Sequence, residues 1–109
     1  MSMELNIINA SWGGSGCDEA LFNAFSNFDK QGVLMVVAAG NHGLDIDSRA
    51  FYPAAFEFPG QITVGASNFN DLMPTWSNNG FRRVHLTAPG EEILSTGINN
   101  GHIIMDGTS

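Results

Sequence analysis

The chain has 109 residues, enough for one small domain, and its 43% hydrophobic content supports a buried core. Four basic residues against eleven acidic ones give a net charge of −7, which argues against a nucleic-acid backbone or an anionic membrane surface as partner. A single cysteine, Cys17, excludes an internal disulfide, no apolar run approaches the ~20 residues of a membrane span, and Met1-Ser2-Met3 has neither the basic nor the apolar region of a leader.

Taken in chain order, Leu5-Asn6-Ile7-Ile8-Asn9-Ala10 is short and β-branched and runs into the pair Gly13-Gly14, which predicts a buried strand ending in a loop. The period then changes. Cys17, Leu21, Ala24, Phe25 and Phe28 share one face at helical spacing, with Asp18, Glu19, Asn23, Asn27 and Lys30 on the other, and Gly32 supplies the stop. The acidic first turn and Lys30 suit the helix dipole. Val33-Leu34-Met35-Val36-Val37-Ala38-Ala39 is apolar at every position, as expected of a parallel strand covered on both faces. Strand, helix and strand make a βαβ unit with a right-handed crossover. Further strands are expected at Gln61-Ile62-Thr63-Val64-Gly65-Ala66 and at Val84-His85-Leu86-Thr87-Ala88, the second closed by Pro89-Gly90, with a turn at Trp76-Ser77-Asn78-Asn79-Gly80 between them. Glu92-Ile93-Leu94-Ser95-Thr96 and His102-Ile103-Ile104-Met105 read as a hairpin across a turn of glycines and asparagines. No domain boundary interrupts residues 1–109, and the long loop from Gly43 to Gly60 suggests a function or an insertion.

In open α/β sheets a ligand site lies beyond the carboxyl ends of the strands. Two such ends carry glycine-rich polar loops, Ser11-Trp12-Gly13-Gly14 and Gly40-Asn41-His42-Gly43. A side-chain amide held at the end of a rigid strand suits a donor to a developing negative charge, although spacing alone favours a helix-cap or turn asparagine after glycine.

The order of motifs decides between these readings. Ile8-Asn9-Ala10-Ser11-Trp12-Gly13-Gly14, Val36-Val37-Ala38-Ala39-Gly40-Asn41, Tyr52-Pro53-Ala54, Ile62-Thr63-Val64-Gly65-Ala66, Ala88-Pro89-Gly90 with Ile93-Leu94-Ser95-Thr96, and Gly107-Thr108-Ser109 together resemble the subtilisin-like serine peptidases. The resemblance covers nearly the whole chain. It implies an α/β fold in which a parallel sheet with a βαβ crossover forms part of the three-layer subtilisin-like domain, with a C-terminal β-hairpin. It also implies a serine endopeptidase that hydrolyses peptide bonds in polypeptide substrates through an acyl-enzyme. Ser109 matches the nucleophile and Asn41 the side-chain donor of the oxyanion hole. Ser11, Trp12, Gly13 and Gly14 match the edge that pairs with extended substrate, Ala38, Ala39 and Gly40 the facing wall of the S1 pocket, and Phe51 its floor. A ring at that floor implies preference for small P1 side chains.

The family's aspartate and histidine segments have no match in residues 1–109, and the family's Gly-Thr-Ser continues into the helix behind the nucleophile. The expectation is therefore a central-to-C-terminal piece of the catalytic domain that is inactive alone, because loss of the serine or histidine costs subtilisin itself about 10⁶ in turnover. His42, His85 and His102 are not placed as the family base; the latter two read as ordinary sheet residues. The resemblance favours an extracellular over a cytoplasmic protein, requires no cofactor, and leaves calcium as a family option. Asp45-Ile46-Asp47 offers only two carboxylates and reads as solvated acid rather than as a metal site. Cys17 reads as a buried structural residue, and Trp12, Trp76 and the eight phenylalanines as core and cleft wall. Two other readings stand beside the peptidase. A nucleotide-binding module is weak, since Ser11-Trp12-Gly13-Gly14-Ser15-Gly16 lacks both the P-loop lysine and the dinucleotide spacing. A non-catalytic relative could bind peptides along the Ser11–Gly14 edge by strand addition. Edges and apolar faces left without neighbours predict self-association of the isolated chain.

Overall fold

The computed structural model describes residues 4–109; the Met1-Ser2-Met3 start lies outside them. Four strands form a parallel sheet in the order β1 (Ile7–Ala10), β2 (Leu34–Ala38), β3 (Gln61–Ser67), β4 (Leu86–Pro89). β5 (Ile93–Thr96) and β6 (His102–Met105) form a separate antiparallel hairpin. Helix α1 (Glu19–Lys30) connects β1 to β2, so the βαβ reading holds and the chain is α/β with a C-terminal hairpin.

The helix begins two residues later than the apolar spacing suggested. Asp18 caps it, its carboxylate accepting from the N–H of Ala20 at 2.8 Å, and this places Cys17 before the first turn. Cys17 is exposed, which corrects its assignment to the buried face. Leu21, Phe25 and Phe28 do face the core, where Phe25 packs beside Phe28 and Phe56. At the other end Gly32 adopts φ +75°, the left-handed conformation that ends a helix, and the Asp29 carboxylate accepts from the N–H of Gly60 at 2.7 Å. That bond ties the helix end to the start of β3.

The core lies under the middle of the sheet: Met35, Val37, Phe25, Phe51, Ala54 and Phe56 are buried together. Burial on β2 alternates, with Met35 and Val37 enclosed and Leu34 and Val36 half-covered, so the strand is apolar on both faces but fully covered on one. β4 runs Leu86–Pro89; it starts two residues later than predicted and takes in Pro89. His85 precedes it; its Nδ1 accepts from the Thr63 N–H at 2.8 Å while its own N–H donates to the Thr63 carbonyl at 2.9 Å, so the imidazole extends the ladder by one bond. Every residue of β4, β5 and β6 is exposed.

The long loop between Gly43 and Gly60 folds under the sheet as part of the core, with Ile46, Phe51 and Ala54–Phe56 buried. Gln61 holds its turn: Nε2 donates to the carbonyls of Pro53 and Phe56, each at 2.9 Å. Asp47 is a clamp rather than solvated acid. Its carboxylate accepts from the N–H groups of Arg82 at 2.9 Å and Arg83 at 3.0 Å. The Arg82 N–H first, then the Arg83 N–H and the Arg82 guanidinium charge, hold its pKa below the ordinary aspartate value against the opposing effect of burial. The aromatic residues divide. Phe25, Phe51 and Phe56 are core and Trp12 is half-exposed, whereas Phe69 and Phe81 stand fully in solvent, which corrects the assignment of all eight phenylalanines to core and cleft wall.

Candidate active site

Three chain segments converge beyond the carboxyl ends of β1, β2 and β3. The first is Ser11-Trp12-Gly13-Gly14 after β1, the second is Ala39-Gly40-Asn41 after β2, and the third is Gly107-Thr108-Ser109 after the hairpin. The first and third border a pocket of about 110 Å³, with Ser11, Gly107, Thr108 and Ser109 in its lining beside Ala38 of β2.

Asn41 and Thr108 lock the second segment to the third. The Asn41 Oδ1 accepts from the Thr108 N–H at 2.9 Å and from the Thr108 hydroxyl at 2.8 Å. A backbone N–H can only donate, so the amide oxygen must face Thr108 and Nδ2 is left as the outward donor. The Thr108 oxygen in turn accepts from the Gly40 N–H at 3.0 Å. One threonine thus satisfies the strand end, orients the asparagine and delivers the next residue, Ser109, whose hydroxyl points to the Ser11 carbonyl at 3.5 Å. The hairpin exit is fixed as well, since the Gly107 N–H donates to the Gly90 carbonyl at 2.8 Å.

The free edge is shorter than the sequence suggested. Gly14 exchanges both backbone bonds with Tyr52, its N–H donating at 2.8 Å and its carbonyl accepting at 2.7 Å, so an incoming strand would find Ser11, Trp12 and Gly13 open but not Gly14. Phe51, next to Tyr52, is buried with its ring between the two glycine segments. A Cβ on Gly13 would overlap that ring, and one on Gly40 would lie 2.8 Å from it. Glycine is therefore required on both sides of the ring, and Gly40 also takes φ +105°, a conformation side chains resist.

The histidines are elsewhere employed. The His42 ring packs on Phe51 at 5.7 Å, the His85 Nδ1 is occupied by Thr63, and His102 opens β6. Among the described residues no histidine hydrogen-bonds to Ser109, and no group of three or more His, Cys, Asp or Glu could hold a metal ion.

A side-chain amide held by Thr108, the Ser109 hydroxyl and the Ser11 strand edge stand together beyond the ends of the parallel strands. The family model of the subtilases matches residues 1–109, and the chain belongs to that family. It is 39% identical over 107 residues to subtilisin-like protease 2 of Plasmodium falciparum, covering 94% of this chain and 8% of that protein. It is 38% identical over 112 residues to the major intracellular serine protease of Bacillus subtilis, covering 100% of this chain and 34% of that protein. The crystal structure of a cold-adapted subtilisin-like serine proteinase superposes with a TM-score of 0.79 at 34% identity, covering 94% of this chain and 35% of the other. The chain thus spans about a third or less of the length of these relatives.

The sequence missed two residues of this arrangement. Thr108 appeared only as a small residue before the serine, and its role as a double anchor depends on Asn41, 67 positions away. Asn78 reads in sequence as a turn residue, yet it is fully buried and bonded to the Asn41 loop.

Proposed function

We propose that this segment supplies the nucleophile, the side-chain oxyanion donor and the substrate-binding edge of a serine endopeptidase, with the aspartate and histidine contributed by polypeptide outside residues 1–109. The observation that carries the reading is the lock between Asn41 and Thr108, which leaves the Asn41 Nδ2 free and sets Ser109 beside it. In this reading an extended substrate pairs with Ser11, Trp12 and Gly13. The Ser109 oxygen attacks the scissile carbonyl as its proton passes to the base, and the oxygen that becomes negative receives a hydrogen bond from Asn41. The amine then leaves with a proton, and water releases the acyl group. Lacking a base, the 109-residue chain alone has no measurable peptidase activity. The Phe51 ring fills the space between the Gly13 and Gly40 segments, which leaves room for small P1 side chains.

A chimaera tests this, with residues 1–109 replacing the matching stretch of the Bacillus subtilis major intracellular serine protease. The chimaera is expected to cleave peptides after Ala or Gly in preference to Phe. Ser109→Ala should then reduce turnover by about 10⁶, the size known for subtilisin itself rather than one calculated from this geometry. A folded chimaera without activity would overturn the peptidase reading; best cleavage after Phe or Tyr would overturn the assignment of Phe51.

A further inference from the structure

We propose that Asn78, in the turn before β4, is a positioning residue that acts through Asn41; the proposal rests on the peptidase reading above. Asn78 is 0% exposed. Its Nδ2 donates to the Ala39 carbonyl at 2.9 Å, and its Oδ1 accepts from the N–H groups of His42 at 3.0 Å and Leu44 at 2.9 Å. Its backbone N–H donates to the Gly40 carbonyl at 2.9 Å. One residue therefore makes four bonds to the segment from Ala39 to Leu44, on both sides of Asn41 and none to Asn41 itself. The pattern is that of a template for the loop: it holds the backbone before and after the donor and leaves the donor's side chain to Thr108.

The template is itself anchored. The preceding residue, Ser77, is buried; its hydroxyl accepts from the Ala66 N–H of β3 at 3.0 Å and donates to the Asn78 carbonyl at 3.1 Å. The loop carrying Asn41 is thus referred to two neighbouring strands, β2 through the chain and β3 through Ser77 and Asn78. A side chain on Gly40 would overlap the Asn78 Nδ2, so the bare backbone there and the asparagine beneath it form one fitted unit. An oxyanion donor acts only if it already stands where charge develops, and misplacement by about 1 Å costs on the order of 10²-fold. Asn78→Ala frees three backbone groups of the loop and removes what holds Asn41 to that accuracy.

A double-mutant cycle in the active chimaera reads this. Asn78→Ala is expected to lower kcat about 10-fold to 100-fold with KM nearly unchanged. In an Asn41→Ala background the same substitution should cost little more, because the donor it positions is gone. A loss that stays additive with Asn41→Ala, or an unchanged kcat, overturns the proposal. If Asn78→Ala does not fold, Asn78→Asp is read by the same cycle, since it keeps an oxygen for His42 and Leu44 and drops the donor to Ala39. An inactive parent chimaera counts against the peptidase reading alone. Amide exchange in the 109-residue chain then decides Asn78: Asn78→Ala should speed exchange at His42 and Leu44 by about 10-fold with Met35 unaffected, and unchanged rates there overturn the proposal.

Discussion

The loop after β2 and the turn of the β5–β6 hairpin are built from the same residue types and held in opposite ways. Both place asparagine beside glycine after a strand. In the hairpin, Asn99 and Asn100 adopt φ +56° and +60°, and the turn closes on itself through the Gly97 N–H to the Gly101 carbonyl at 2.8 Å. Its conformation comes from local turn chemistry, and the strands it joins are exposed throughout. In the loop, Gly40-Asn41-His42 is held by Asn78 from below and Thr108 from the side, residues 36 to 68 positions away. A locally determined turn tolerates change around it. A loop held from a distance can carry a precisely aimed group, and it transmits damage from remote positions.

The widest contrast is in the strands behind the two turns. Met35→Ala on β2, at a side chain with 0% exposure, should cost about 2–5 kcal/mol of stability, whereas Ile104→Ala on β6, at 64%, should stay within about 0.5 kcal/mol. Urea denaturation of both variants measures this, and equal losses would break the comparison. Glycine substitutions sharpen it at a smaller scale. Gly40→Ala meets Asn78 and Phe51 at a positive φ and should lose roughly 1–3 kcal/mol, while Gly16→Ala, with nothing near its added methyl, should be close to neutral. A neutral Gly40→Ala would show that the loop yields to its neighbours.

The smallest effect concerns acid. The Asp47 pKa is lowered in the fold, so the clamp contributes stability above the ordinary carboxylate range and loses it as pH falls through the depressed value. Asp47→Asn should therefore flatten the stability profile on the acid side and leave its shape near neutrality unchanged. Thermal melts from pH 7 down to pH 3 check this; an acid limb as steep as in the parent would remove Asp47 from the account.

Much of the fold was legible because its signals are local. The unbroken apolar run around Met35, the capped amphipathic segment ending at Gly32 and the asparagine-glycine turn near Gly101 each announce their conformation within a few residues. Boundaries slipped where a polar side chain took over a backbone bond at the end of an element. His85 extends a ladder through its ring, and Cys17 falls outside the helix because Asp18 takes the cap. Of the candidate site, Asn41, Ser109 and the Ser11 edge were legible through motif order, but Gly14 is spent on Tyr52 and Asn78 went unnoticed. A buried asparagine in a turn looks like any turn asparagine until its partners, 34 to 39 positions away, are known.

By itself the sequence determined the α/β class, the strand–helix–strand start, the family and the segments that meet at the site, since hydrophobic period, caps and motif order are all written along the chain. Only the tertiary structure decided which amide oxygen faces Thr108, which edge residues remain free and which residue braces the Asn41 loop. Those facts are hydrogen bonds between positions far apart in sequence, and they exist only once the strands have brought their ends together.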